Sequence, residues 1–252
     1  GFILSDSGAR ALIVDGELKD KIELPAASAC LIWRAESILG SGSAQAATGQ
    51  PGQRSARAAT TRETPAFMLY TSGSTATPKG VLHSHGSIPI TVENYADSVL
   101  HLTSDDQVFS SSRMFFAYGL GNSLSFPLAA GAKVILESER MTAERLASFI
   151  EDRKPRIFFG VPAVYMSLLD YRLSGGRVDL SSVRLCVSAG EALPAKIFED
   201  WHREFGLTIL DGIGSTEMLH IFLSNREGSA RAGSSGMVVD GYAARLLDDG
   251  GV

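Results

Sequence analysis

Between Phe67 and Gly80 a short apolar run, Phe67-Met-Leu-Tyr70, empties into Thr71-Ser-Gly-Ser-Thr-Ala-Thr-Pro-Lys-Gly80, a stretch of hydroxyls, glycines, one proline and one lysine. Residues of these types in this order handle phosphate. The apolar run reads as a buried strand, and Gly73 then frees the backbone so that successive N–H groups converge on an anion. Thr71, Ser72, Ser74, Thr75 and Thr77 add donors, Lys79 supplies a compact positive charge, and Pro78 stiffens the approach to it. The competing reading is a flexible Ser/Thr turn; the strand before it and Val81-Leu82 after it weigh against that. A Walker loop is excluded, because Pro78 precedes the lysine and Gly80 follows it.

A second chemical stretch is Asp211-Gly-Ile-Gly-Ser-Thr-Glu217. The spacing predicts a strand over 208–210 and a Gly-x-Gly turn that delivers Thr216 and Glu217 to a sheet edge. A carboxylate facing a phosphate loop is what a Mg²⁺ bridging a nucleotide requires. A solvated loop glutamate is the alternative. Glu217 stands where a dinucleotide fingerprint needs its third glycine, so that motif is excluded. His83 and His85 sit two apart on a predicted strand and face opposite ways, with no Cys, Asp or Glu at ligand spacing, which argues against a metal there.

The elements that must position these residues read as a doubly wound α/β fold, with parallel sheets and helices on both faces. Residues 156–160 lead through Pro162 into Val164, Leu168 and Leu169. Residues 183–187 lead through Gly190 and Pro194 into Ile197, Phe198, Trp201 and Phe205, closed by Gly206. A third unit pairs a strand at 133–136 with a helix over 142–153. Earlier in the chain, strands are expected at 11–14, 29–33 and 81–84, with apolar residues at helical spacing over 88–100. Residues 1–64 form an incomplete first α/β part that ends in a mobile linker over 40–64, which has no Val, Leu, Ile or aromatic residue after Leu39. Residues 65–228 form the core, and 229–252 begin a small β-barrel-like part that breaks off. The start at Gly1 and the end at Asp248-Asp-Gly-Gly-Val252 read as a piece of a longer protein.

Composition narrows the partners. The 252 residues are 44% apolar with a net charge of −5, and no Lys/Arg face interleaves with aromatics, so a nucleic-acid partner is not expected. No apolar run approaches the ~18 residues of a spanning helix, so no membrane role is expected either. Cys30 and Cys186 each adjoin Leu or Val, which predicts reduced, packed thiols and a cytoplasmic protein.

Taken together, Tyr70-Thr-Ser-Gly-Ser-Thr-Ala-Thr-Pro-Lys-Gly80 and Gly212-Ile-Gly-Ser-Thr-Glu217 resemble the adenylate-forming enzymes: acyl-CoA synthetases, peptide-synthetase adenylation domains and luciferases. Arg113-Met-Phe-Phe-Ala-Tyr-Gly-Leu-Gly-Asn122 and residues 211–224 look like the aryl-CoA ligases of the benzoate-CoA ligase type. The likeness runs over nearly the whole chain and is similar to the central part of the family's large N-terminal domain.

The resemblance implies that ATP and a small aromatic acid give an acyl-adenylate, which coenzyme A then attacks. It assigns the β- and γ-phosphates to Thr71, Ser72, Gly73, Ser74, Thr75, Thr77 and Lys79. Thr216 takes the α-phosphate and Glu217 takes Mg²⁺, so that Lys79, Thr216 and Glu217 are the catalytic set. Ser188, Ala189, Gly190 and Glu191, with Asp211, Gly212 and Ile213, line the adenosine pocket. Phe116, Ala117, Tyr118, Gly214, His220 and Ile221 line the aryl pocket. The resemblance also allows a homodimer of the parent.

Two positions depart from the family pattern: Ala76 replaces a loop glycine, and Ile213 replaces an adenine-stacking aromatic. The ribose-binding aspartate, hinge and catalytic lysine of the family would follow Val252. A nucleotide- and aryl-acid-binding fragment without turnover, or an adenylation domain that loads a carrier protein, are the alternative readings.

Overall fold

The computed structural model describes residues 2–22, 30–40, 58–71 and 77–248. Most of the expected linker, 41–57, and the loop residues Ser72, Gly73, Ser74, Thr75 and Ala76 lie outside the described residues. The chain divides into two units. The first is Gly1–Thr61 with Tyr70–Gly80, and the second is Arg62–Leu69 with Val81–Val252. The described residues on either side of those loop positions, Tyr70, Thr71 and 77–80, fall in the first unit.

In the first unit, α1 (Phe2–Asp6) precedes β1 (Ala11–Val14), and a 3₁₀ turn at Gly16–Lys21 precedes β2 (Leu31–Arg34) and α2 (Ala35–Gly40). β1 and β2 pair in parallel, Ala11 opposite Leu31 and Val14 opposite Arg34. The Tyr70 hydroxyl donates to Asp6 at 2.7 Å, which ties the end of the apolar run to α1. β3 (Pro65–Thr71) pairs with β4 (Lys79–Ser84) on either side of the loop.

The second unit is built on one seven-stranded sheet. α3 (Ser87–Thr91) continues as a π-helical turn, Val92–Asp97, where one longer helix was expected. β5 (Gln107–Ser110) leads to α4 (Ala117–Leu120), a second π-helical turn at Gly121–Ser125 and α5 (Phe126–Ala130). Three βα units follow: β6 (Lys133–Ile135) with α6 (Ala143–Arg153), β7 (Ile157–Gly160) with α7 (Pro162–Leu173), and β8 (Leu185–Ser188) with α8 (Ala195–Phe205). β9 (Ile209–Gly214), β10 (Ile221–Ser224) and β11 (Met237–Val238) complete the sheet. The order is β11-β10-β9-β8-β7-β5-β6, parallel from β6 to β9 and antiparallel at β10 and β11.

Local sequence explains the helix limits. Thr142 caps α6 by accepting the Arg145 N–H at 3.3 Å, and Lys154 ends it in a left-handed conformation just before Pro155. Gly206 ends α8 in the same way. Period-two alternation sends the strand side chains to two cores. Val108, Ile157, Phe159, Leu185, Val187 and Leu210 pack on Tyr95, Leu100 and Phe126. Their neighbours Phe109, Phe158, Cys186 and Ile209 pack on α6, α7 and α8 through Ile150, Tyr165, Leu168 and Trp201. Both faces are therefore covered, as parallel strands require.

One expectation at the edge is corrected. Gly212-Ile-Gly214 is the end of strand β9, not a turn, and it pairs with β10. The glycines serve close approach: a Cβ on Gly212 would lie 2.7 Å from Ile221, and one on Gly214 would lie 2.8 Å from the His220 carbonyl. The turn falls after Gly214 instead. Among the described residues beyond 229, β11 is the one strand, and it joins the main sheet. No helix among the described residues is long and apolar enough to cross a membrane. Neither Cys30 nor Cys186 forms a disulfide among the described residues, and Cys186 is fully buried with its thiol pushed up to about 12 by burial.

At the N-terminal ends of three adjacent strands stands one buried carboxylate. Asp106, just before β5, is 2% exposed. It accepts from Arg156 Nε (3.1 Å), just before β7, and from Arg184 Nε and a terminal guanidinium nitrogen (both 2.9 Å), just before β8. Burial by itself would raise the carboxyl pKa; the Arg184 and Arg156 hydrogen bonds and the Thr103 N–H outweigh it and hold the group well below the usual range. A carboxylate held below its unfolded pKa stabilises the fold above about pH 4 and loses that contribution as pH falls further. Asp106→Asn should lower stability by about 2–3 kcal/mol at pH 7, since it leaves two guanidinium groups without their counter-charge. Denaturant unfolding should show this deficit shrinking as pH drops from 5 to 2; a deficit that does not depend on pH contradicts the assignment.

Candidate active site

The chain leaves β5 toward β6 on one side and returns to β7 on the other, so the carboxyl ends of β5 and β7 flank a topological switch point. Ligands bind at such a crevice because the connecting loops part there. A cavity of about 300 Å³ lies beyond these strand ends, bordered by Ser112 after β5, Val161 after β7, Ala189 and Gly190 after β8, and Gly214 to Thr216 after β9.

Its walls are apolar. Phe116, Ala117, Tyr118, Gly214, His220 and Ile221, the six residues of the expected aryl pocket, all line it. Phe116 is the extended N-cap of α4 and Ala117 its first residue, so the helix start aims both inward. The Tyr118 hydroxyl lies 3.1 Å from the Val187 carbonyl and 3.3 Å from that of Gly160. Burial raises its pKa well above 10, so it stays protonated and serves as a strut between β7 and β8. Among the described residues, no Lys, Arg, Asp or Glu lines this cavity.

His220 is the polar member of the wall. It is 2% exposed and sits among Tyr95, Tyr118 and Phe126, with ring centroids 4.9, 5.4 and 4.5 Å away. Its Nε2 is 3.0 Å from Asn122 Oδ1, and Nδ1 has no protein partner. Burial lowers its pKa to about 3, so the imidazole is neutral at physiological pH and adds no charge to the cavity.

The nucleotide-side residues divide by unit. Ser188, the last residue of β8, is paired in register with Asp211 within β9. Both are buried, and the Ser188 side chain is among the groups that interact with the Asp211 carboxyl. Desolvation raises the Asp211 carboxyl pKa, while Ser235 donates to Oδ2 at 3.2 Å. Gly190, Glu191 and Ile213 are exposed, as is Glu217, while Thr216 is half-buried at the cavity rim. Thr71, Thr77 and Lys79 belong to the first unit, Thr71 closing β3 and Lys79 opening β4.

Two features escaped the sequence reading. Asn122 orients His220 from 98 positions away; a polar residue inside the apolar stretch 116–130 was its only mark. A larger cavity of about 690 Å³ shares Phe116, Ser112 and Val161 with the first, and Arg113, Glu137, Glu139 and Arg140 give it a charged rim.

A family model for AMP-binding enzymes matches residues 1–252. The chain is similar to the benzoate–CoA ligase of Thauera aromatica, 44% identical over 255 residues that take in 99% of this chain and 48% of that protein. Among solved structures it is similar to a benzoate CoA ligase from Burkholderia xenovorans LB400, with a TM-score of 0.84 and 38% identity over 100% of this chain and 50% of the other. An anthranilate CoA ligase in complex with anthranoyl-AMP gives a TM-score of 0.84 at 37% identity, over 99% and 49%. The chain thus spans about half the length of these relatives.

The His220 environment has a measurable consequence. Its folded pKa lies below the unfolded value near about 6.5, so the unfolded state binds the extra proton, and stability falls as pH drops from about 6.5 toward 3. The ring resonances of His220 should not titrate between pH 8 and 5 by NMR, whereas a midpoint near 6.5 would mean that the imidazole is solvated.

Proposed function

Because the chain belongs to the AMP-binding enzyme family, we propose that the whole protein activates a small aromatic carboxylic acid with ATP and passes the acyl group to coenzyme A. The observation that carries this reading is the switch-point cavity. Its volume, about 300 Å³, is at the low end for ligand sites and suits one ring. Gly214 and Ala117 project little into it, while Phe116, Tyr118 and Ile221 offer apolar contact.

The acid is ionised at neutral pH, its carboxyl pKa being near about 4. Its oxygen attacks the α-phosphorus of ATP, a new O–P bond forms, and pyrophosphate leaves with the electron pair of the broken bond. No general base is needed, so positioning and charge neutralisation do the work. Thr216, at the cavity rim, donates its hydroxyl to the α-phosphate. The family resemblance gives the outer phosphates to Lys79, Thr71 and Thr77, with Ser72, Gly73, Ser74 and Thr75. The buried polar pair Ser188 and Asp211 fits the nucleotide side, with Ala189, Gly190, Glu191, Gly212 and Ile213 around the adenosine.

Glu217 fits Mg²⁺ as a single carboxylate that works with substrate phosphates, this ion's usual habit. The ion, when bound, neutralises phosphate charge. No cluster of three or more metal-ligating side chains occurs among the described residues, which suits such a one-carboxylate site.

The absence of a cation from the acid cavity sets the specificity: a second carboxylate on the substrate would be desolvated without a partner. Ala117→Leu in the full-length protein should fill the cavity and lower kcat/KM for benzoate by more than about a hundredfold, equivalent to about 2.7 kcal/mol. The affinity for Mg·ATP should stay within twofold. Unchanged benzoate-dependent pyrophosphate release in that variant would show that the acid binds elsewhere.

A further inference from the structure

The turn between β9 and β10 is held in a conformation that its own sequence does not favour. Leu219 has a φ of 64°, the left-handed region that a branched side chain seldom adopts, although it is 4% exposed and packed. The Leu219 N–H closes the turn on the Thr216 carbonyl at 3.1 Å, and the Met218 N–H donates to Ser215 Oγ at 3.2 Å. These bonds are local. The same Thr216 carbonyl has a second, remote partner: His83 Nε2 at 2.9 Å, 133 positions earlier in the chain.

His83 is itself immobilised. It is 4% exposed on β4, and its ring stacks on Phe67 with centroids 5.1 Å apart and planes at 26°. A carbonyl oxygen only accepts, so Nε2 carries the proton and donates it. A distant, pinned donor thus bears on the carbonyl of a residue that borders the cavity, one position before Glu217. Strain in a turn persists only where its surroundings over-determine it, and His83 supplies that external constraint.

We propose that His83 is a positioning residue for adenylation: its Nε2–H clamps the Thr216 carbonyl and keeps the strained turn in the form that presents the Thr216 hydroxyl and the Glu217 carboxylate to the nucleotide's phosphates and Mg²⁺. This rests on the function proposed above for Thr216 and Glu217. Loss of the clamp frees the turn to relax around Leu219, which moves phosphate and metal contacts but leaves the aryl walls on α4 where they are.

The test uses the full-length protein with His83→Ala, His83→Gln and His83→Asn, and with Glu217→Gln as a control on the site itself. Gln carries its amide nitrogen about as far out as Nε2, and Asn falls short. His83→Ala and His83→Asn should weaken Mg·ATP binding in calorimetry about tenfold, the equivalent of one lost hydrogen bond at about 1.4 kcal/mol. They should also lower kcat for pyrophosphate release and leave KM for benzoate within twofold. His83→Gln should recover most of the Mg·ATP affinity.

Equal behaviour of Gln and Asn, or a lowered melting temperature with Mg·ATP affinity intact, would reduce His83 to packing and overturn the proposal. Should His83→Ala not fold, the Gln and Asn pair decides alone. If Glu217→Gln leaves Mg·ATP binding unchanged, the site reading fails and the proposal with it; if Glu217→Gln weakens binding and the His83 variants do not, the clamp alone is refuted.

Discussion

Asp106 fixes where three parallel strands begin. With Arg156 and Arg184 drawn to a single carboxylate, β5, β7 and β8 start level with one another, and the ladder keeps them so along their length. Ser110 lies opposite Phe159, Gly160 opposite Ser188, and Ser188 opposite Asp211. The residues that come next therefore emerge side by side at the far edge, and the cavity is the space their diverging connections leave. A buried charge cluster of this sort adds little net stability over a well-packed apolar one, but removing one partner costs much. Its effect is to set strand height, and the height of the strands sets the site.

The charge distribution follows a division of labour. The switch-point cavity, the proposed acid site, is lined by no charged side chain among the described residues: its imidazole is kept neutral by burial, and its tyrosine hydroxyl is kept protonated. Charge is reserved for the residues assigned to the nucleotide, Lys79, Glu217 and Asp211. An adenylation step needs this contrast, because the acid arrives as an anion and needs no base, while the phosphates need compensation. A charged group among the aryl walls would have to be desolvated with every ring that binds. The same reasoning fits the burial of His220 among Tyr95, Tyr118 and Phe126, with Asn122 at its Nε2.

Much of this was legible in the sequence. The βα units over 133–153, 156–173 and 183–205 showed because apolar residues, prolines and glycines punctuate them at the proper period. The six aryl-wall residues could be named through a resemblance, and the structure brings them to one cavity. What was not legible depended on distance. Asp106 looks like any loop aspartate until Arg156 and Arg184 fold onto it. Asn122 with His220 and His83 with Thr216 are pairs 98 and 133 positions apart. The Gly-x-Gly of 212–214 was mistaken for a turn because glycine marks both turns and close approach, and only the neighbouring strand β10 decides between them. Helix over 88–100 was expected from periodicity, which does not distinguish an α-helix from the π-helical turn that buries Tyr95.

The central claim is that the switch-point cavity is the acid site, and a crystal structure of the full-length protein with benzoate and a non-hydrolysable ATP analogue tests it most directly. The account predicts one aromatic ring lying flat between Ala117 and Gly214, its carboxylate directed at the Thr216 rim. A ring found instead in the larger cavity beside Arg113 and Arg140, with the switch-point cavity empty, would contradict it.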